Sequence, residues 1–322
     1  MEMRALGRSG LFIAPLILGG NVFGWTADAP TSFAILDAFV DHGFNAIDTA
    51  DVYSRWSPAG GGASERVIGD WLKASGKRDK VVIATKLGAD MGEDAQGRAQ
   101  KGLSARYMMQ AVEDSLQRLR TDYIDLYQAH RDDADTQQDE TGEAFSRLVA
   151  QGKVRAIGAS NFDANRLASA NALADFHARP RYETLQPLYN LYDRGAFEET
   201  LSGLCAEQGI SVIPYYGLAS GFLTGKYRSE ADLAKSPRGG GVKRYLDDRG
   251  RRILAALDMA SGDLGATPAQ VALAWLMVKV TAPIASATSV PQLEELMRAA
   301  DLRLGPVAIA ALDQASAVTS AA

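Results

Sequence analysis

A chain of 322 residues with 47% hydrophobic and 23% charged side chains has the composition of a globular protein, long enough to bury about 75% of its unfolded surface around one core. Its formal charge of −5 comes from mixed charges with no basic stripe to release counterions, which argues against nucleic acid as a partner. A lone cysteine, Cys205, excludes an internal disulfide, and neither a signal-peptide run nor a span of ~20 apolar residues is present. A cytoplasmic protein with no membrane partner is expected.

In chain order, "MRALGRSGLFI" places a glycine-bearing turn between two short apolar runs, which predicts an N-terminal β-hairpin. Eight β-rich runs follow: "PLILGG" (15–20), "NAIDTA" (45–50), "VVIATK" (81–86), "IDLYQAH" (124–130), "VRAIGAS" (154–160), "TLQPLYN" (184–190), "SVIPYY" (211–216) and "APIASAT" (282–288). Between them lie helical patterns such as "SERVIGDWLKASG", "SARYMMQAVEDSLQRLR" and "PAQVALAWLMVKV", several closed by glycine. Eight alternating units predict one α/β domain over residues 1–322, a (β/α)₈ TIM barrel whose floor the hairpin would cap. The competing open doubly wound sheet would normally carry a G-x-G-x-x-G turn after a strand, and no strand here does. The polar stretches 92–102 and 131–140 read as solvated connectors, and the long segment Gly217 to Gly250, after the seventh strand, reads as a functional loop.

Reactive groups of such barrels sit at the C-terminal ends of the strands. Asp48 ends the second run with Tyr53 just beyond it, Lys86 ends the third, and His130 ends the fourth. A phenol, with a reference pKa of about 10, is a poor acid at neutral pH. A nearby ammonium would lower that value, and Asp48 would keep the buried Lys86 charged. His42 and His177 fall at helix ends and read as structural. Three scattered histidines and one cysteine offer no paired ligand spacing, so no metal site is expected.

The segments "IDTADVY", "ATK", "YQAH" and "GASNF" resemble the signature of the aldo-keto reductase superfamily, and the similarity runs from about Leu6 to about Arg303. The resemblance implies a metal-free oxidoreductase that interconverts a carbonyl and an alcohol using NADP(H) or NAD(H). Tyr53 would be the general acid, Lys86 its activator, Asp48 the partner of Lys86, and His130 the group that orients the carbonyl. Ser160, Asn161 and Gln186 would hold the nicotinamide amide, with Tyr215 against the ring. "LASGFLTGKY" resembles the family's pyrophosphate clamp, implicating Leu218, Ser220, Gly221, Leu223, Gly225 and Lys226. It nearly matches a P-loop, but Ser220 replaces the first glycine and Tyr227 the final Ser/Thr. "SATSVPQLEEL" resembles the adenosine segment, with Ser286, Thr288, Gln292 and Glu295 as contacts. Many NADPH-preferring relatives carry arginine where this chain has Thr288, so NADH use is also expected.

Phe23, Trp25 and Trp56 fall on loops after the first two strands and Arg131 follows His130, which suggests an aromatic substrate wall with one anion anchor. The partner is therefore a small carbonyl or alcohol. The alternative on the same scaffold is a nicotinamide-binding sensor or regulatory subunit, as some members of the superfamily are channel-associated.

Overall fold

The computed structural model describes residues 1–235 and 239–318. Strands β1 (Arg4–Ala5) and β2 (Phe12–Ile13) form the expected antiparallel hairpin, with Arg4 opposite Ile13. The eight other strands are all parallel: β3 (Ile17–Gly19), β4 (Ala46–Asp48), β5 (Val82–Leu87), β6 (Ile124–Ala129), β7 (Val154–Ser160), β8 (Tyr182–Gln186), β9 (Ser211–Val212) and β10 (Ile284–Ala285). Consecutive strands pair in sequence order, and β10 pairs with β3. The gap between β9 and β10 is bridged by Thr281 N–H to Val212 O (3.0 Å) and Ile284 N–H to Pro214 O (2.9 Å). Those bonds close the ring into the (β/α)₈ barrel.

Each expected run overlaps its strand, although β5 runs on to Leu87 and β8 begins at Tyr182, and β8 and β9 stop earlier than the hydrophobic pattern does. Pro187 and Pro214 lack the N–H that would continue the ladder. Helices α1 (Ala29–Asp41), α2 (Ala63–Ser75), α3 (Ala105–Leu119), α4 (Gln138–Ala150) and α5 (Ala164–Phe176) follow β3 to β7 in turn. The short α6 (Gly195–Thr200) and α7 (Ser202–Gln208) follow β8, α8 (Asp248–Leu264) and α9 (Pro268–Lys279) follow β9, and α10 (Val290–Met297) and α11 (Pro306–Ser316) complete the chain. Their ends have local causes. Asp28 accepts from Thr31 N–H, Thr267 and Gln270 form a capping box, and Gly76 ends α2 in the left-handed conformation.

The segment 217–250 is more ordered than its sequence suggests. It holds short 3-10 turns at Ala219–Thr224, Glu230–Lys235 and Gly239–Tyr245, while its residues 236–238 lie outside the described residues. Its last residues already belong to α8, because the Asp247 side chain accepts from Gly250 N–H at 2.7 Å and fixes the helix start there.

Two buried clusters divide the interior. The larger lies between the strands and the helices; the smaller fills the barrel with Ile17, Ala46, Ala84, Leu126, Ala156, Ile213 and Ile284. Leu6, Leu11 and Ile13 from the hairpin join the smaller cluster and plug the floor, as expected. Strand alternation then places Asp48, Lys86, Gln128 and Gly158 two residues beyond Ala46, Ala84, Leu126 and Ala156, so an apolar layer carries a polar one. The polar layer needs room. A Cβ on Gly158 would meet Thr184 Oγ1 at 2.1 Å and Gln128 Cγ at 3.1 Å. Gly158→Ala is therefore expected to cost about 1–3 kcal/mol through overpacking, read as a lowered urea midpoint; an unchanged midpoint would mean that the rim yields freely.

Candidate active site

Lys86 is fully buried, and its ammonium has three acceptors for its three protons. Nζ donates to Asp48 Oδ2 at 2.7 Å, to the Thr49 carbonyl at 2.8 Å and to the Tyr53 hydroxyl at 3.0 Å. The other Asp48 oxygen accepts from Gln186 Nε2 at 2.8 Å and Gln128 Nε2 at 3.4 Å. Four barrel strands thus surround one ion pair. Burial pushes the Lys86 ammonium below its usual value, while Asp48 pulls it back up.

The Tyr53 oxygen accepts from Lys86, and its own proton has only a long contact, 3.4 Å, to Asp48 Oδ2. Burial first, and then the Asp48 carboxylate, push the phenol well above its usual value. The sequence led to the opposite expectation, a phenol lowered by Lys86. Asp48 sits against both partners, so the carboxylate that holds the lysine also disfavours a phenolate. The phenol is held as an intact acid.

His130 packs edge-on to Tyr53 with ring centroids 6.1 Å apart. Its Nδ1 is buried without a hydrogen-bond partner. Burial, with Lys86 and Arg131 adding like charge, pushes its pKa down to about 3. The imidazole is neutral at physiological pH.

Ser160, Asn161, Tyr215 and His130 form one connected group. Asn161 Nδ2 donates to the His130 carbonyl at 2.9 Å and to Ser160 Oγ at 3.0 Å, while its Oδ1 accepts from the Tyr215 hydroxyl at 2.8 Å. Gln186, by contrast, turns its amide nitrogen to Asp48 and is buried. Farther out, Ala219, Ser220 and Gly221 all have positive φ, and the Ala219, Gly221, Leu223 and Gly225 amides donate to the Tyr216, Leu218 and Phe222 carbonyls, which folds this stretch into a tight turn. Leu218 caps this turn and Leu223 is buried beneath it. Gly225 closes the turn in the left-handed conformation, and the exposed Lys226 ammonium lies beside it, 5.0 Å from the centroid of the Tyr227 ring.

The adenosine segment opens α10. Ser286 Oγ donates to Asn21 Oδ1 at 2.6 Å, and both Thr288 donors go to Gln292 Oε1, at 2.8 and 3.2 Å. The Glu295 carbonyl accepts from Gln270 Nε2 in α9, and a side chain at Gly225 would touch Pro268 of the same helix at 3.5 Å. The clamp and adenosine segments therefore flank the N-terminus of α9. A tight turn carrying the exposed Lys226 ammonium, together with the Thr288, Gln292 and Ser286 side chains, places a cation and polar groups where a dinucleotide's phosphates and ribose could be met.

At the substrate end, Trp25 and Trp56 meet edge-to-face at 5.6 Å, and Trp56 lies 6.3 Å from Tyr53. Trp56 is 53% exposed and Arg131 is exposed without an ion pair among the described residues. Phe23 is a correction to the expected wall. Its ring is fully buried in the core, so it backs the wall and presents no face to a ligand.

The profile of the aldo/keto reductase family matches residues 15–317. The chain belongs to the aldo/keto reductase family. Members of this family are generally NAD(P)H-dependent oxidoreductases. The chain is 36% identical to the uncharacterized oxidoreductase YrpG of Bacillus subtilis, over 94% of this chain and 92% of the relative. It is 32% identical to the NADP(+) aryl-alcohol dehydrogenase of Phanerodontia chrysosporium, over 92% and 81%. It is also 32% identical to a probable voltage-gated potassium channel subunit beta of Arabidopsis thaliana, over 98% and 96%. No helix among the described residues is long and apolar enough to cross a membrane.

In this aldo/keto reductase, sequence reasoning missed three groups around Lys86: the Thr49 carbonyl, Gln128 and the buried carboxyl of Asp51. Gln128 could have been found, since it lies two residues before His130 on a strand of period two. Because burial, with Lys86 and Arg131 beside it, pushes His130 down to about 3, kcat/KM should show no acid limb near pH 6.5. A limb there that disappears in His130→Asn would overturn the neutral imidazole.

Proposed function

We propose that the protein interconverts an aldehyde or ketone with its alcohol, using NADP(H) or NAD(H), with Tyr53 as the general acid in reduction and the base in oxidation. The observation that carries this reading is the proton count at Lys86. All three of its protons have acceptors, one of them the Tyr53 oxygen, which leaves the phenol proton as the one mobile hydrogen at the centre of the site.

The chain's own residues divide the work. A neutral His130 whose Nδ1 has no partner keeps its proton on Nε2 at lower cost, since a buried N–H without an acceptor is the worse orphan. That N–H orients the carbonyl oxygen towards Tyr53. Bound reduced nicotinamide would supply the hydride to the carbonyl carbon. As the oxygen gains charge, Tyr53 gives up its proton, and Lys86, already bonded to the phenol oxygen, stabilises the phenolate. Ser160 and Asn161 would hold the carboxamide, Tyr215 would back the ring, and Leu218, Ser220, Gly221, Leu223, Gly225 and Lys226 would hold the pyrophosphate. Gln186 steadies Asp48 through Nε2 and would offer its amide oxygen to the carboxamide. Ser286, Thr288, Gln292 and Glu295 would meet the adenosine end. A reducing cytoplasm is the compartment this reading assumes.

With an aromatic aldehyde, loss of reduced-nicotinamide absorbance should be seen with NADPH and with NADH alike, because Thr288 supplies no charge-assisted bond, typically worth ~1.5–3 kcal/mol, to a 2′-phosphate. Tyr53→Phe should lower turnover by about 10²–10⁴-fold, the usual contribution of a general acid, and leave cofactor binding intact. Full turnover by that variant would remove Tyr53 from its role. Binding of either cofactor with no turnover across a broad carbonyl panel would favour a sensor, the reading that the likeness to a channel subunit supports.

Arg131 gives the substrate wall its charge. A carboxylated benzaldehyde should be preferred over benzaldehyde, and Arg131→Met should cost that preference about 10–100-fold in kcat/KM, the worth of one charge-assisted bond. Equal loss on both aldehydes would place Arg131 outside the substrate site.

A further inference from the structure

Beneath the Lys86 pair lies a carboxyl that the reaction as described does not use. Asp51 is 2% exposed, and neither of its oxygens has a hydrogen-bond partner. The backbone N–H of Val52 faces the carboxyl and favours its charged form, without reaching hydrogen-bonding geometry. Its own N–H bonds the Lys86 carbonyl at 3.2 Å, which ties it to the backbone of the lysine. A second buried hydroxyl, that of Tyr127, also lacks a partner and feels Asp51 more than any other charge.

The charges around this chamber are already matched. On β4 and β5, Asp48 pairs with Lys86; across α2 and α3, Glu65 accepts from Arg118 Nε at 2.6 Å and from Thr85 Oγ1 at 2.5 Å. Tyr107 of α3 and Tyr127 of β6, the remaining titratable neighbours, are phenols pushed upward by burial first and by Asp51 second. Two cations face two carboxylates, and an ionised Asp51 would be a third anion that could only share Arg118 and Lys86 with the carboxylates already bonded to them, its oxygens having no hydrogen-bond partner. Such a group takes up a proton. Burial first and Glu65 second push Asp51 well above the ordinary carboxylate range.

We propose that Asp51 is a positioning residue of the reaction: held as the uncharged acid behind Lys86, it leaves the bonded Asp48, with the weaker Glu65 behind it, to draw on the lysine's charge. This rests on the reductase reading for its catalytic consequence. After Asp48, Asp51 is the next carboxyl that Lys86 feels. Were it ionised, its charge would share the ammonium field with Tyr53 and raise the cost of the phenolate. Turnover falls as Asp51 loses its proton.

The test compares wild type with Asp51→Asn, which keeps the shape and removes the titration. In the unfolded chain Asp51 ionises near pH 4, whereas in the folded protein it stays protonated, so folding takes up a proton between the two values. The sign follows: the wild type loses stability relative to the variant as pH rises, by about tenfold in the folding equilibrium per pH unit, until the folded group ionises. The thermal midpoint of Asp51→Asn should therefore match that of the wild type near pH 4 and exceed it increasingly towards pH 8. Above the folded Asp51 pKa the variant should also keep kcat that the wild type loses. A midpoint difference that does not change with pH would mark a merely structural role and overturn the proposal. Should the variant fail to fold, infrared spectra of the wild type decide, since a protonated carboxyl band persisting at pH 7.5 supports the uncharged acid and its absence refutes it. Failure of turnover in both proteins would count against the reductase reading and the catalytic consequence together, while the midpoints would still judge the charge state.

Discussion

Lys86 carries a charge to a place that water does not reach, and the rest of the site is arranged around the cost of doing so. Moving an ion of this kind out of water costs several kcal/mol even after relaxation, and the attraction of a partner offsets that only when every remaining proton and lone pair is satisfied. Here Asp48 is the partner, Thr49 and Tyr53 take the other two protons, and Gln186 and Gln128 occupy the far carboxylate oxygen. These groups come from β4, β5, β6 and β8 and the turn after β4. A closed ring of parallel strands can bring them to one point. An apolar replacement of such a pair is often neutral or stabilising, so the barrel holds the pair more than the pair holds the barrel.

The fold was legible because its signal is periodic. Strand runs and helix patterns alternate along the whole chain, interrupted by segment 217–250 after the seventh run, and the alternation survives the absence of any single diagnostic residue. What misled was local chemistry. The apolar runs at 184–190 and 211–216 continue through Pro187 and Pro214, where hydrophobicity says strand and the missing N–H says otherwise. Segment 217–250 looked patternless because 3-10 turns have no long period, and the Asp247 cap that starts α8 is hidden among neighbouring charges.

The four central site residues could be read because strand ends in a barrel converge, so order along the chain translates into proximity. Other features depend on burial, which single residues do not announce. Phe23 lies in a loop, where an aromatic side chain suggests a ligand wall, yet the core claims its ring. The phenol was expected to fall in pKa because Asp48 was foreseen as the partner of Lys86 alone. Once Asp48 touches both partners and water is excluded, the balance turns upward. Asp51 reads as one more polar residue in a strand-end loop; only its isolation in space separates it from Asp48, three positions away.

The backbone shows the same division between the two ends of the barrel. Among the described residues, seven other than glycine adopt positive φ: Ser54, Arg120, Asn161, Ala178, Tyr216, Ala219 and Ser220. Arg120 and Ala178 end or follow helices, where a left-handed residue is an ordinary stop. The other five lie in the loops after β4, β7 and β9, beside Tyr53, His130 and the clamp turn. Each such residue costs of order 1–3 kcal/mol and persists only where its surroundings over-determine it. At the opposite end, the hairpin seals the floor with Leu6, Leu11 and Ile13. Apolar closure at one end stabilises the ring, and that stability lets the other end hold an uncomfortable backbone, a buried ion pair and a carboxyl without a partner.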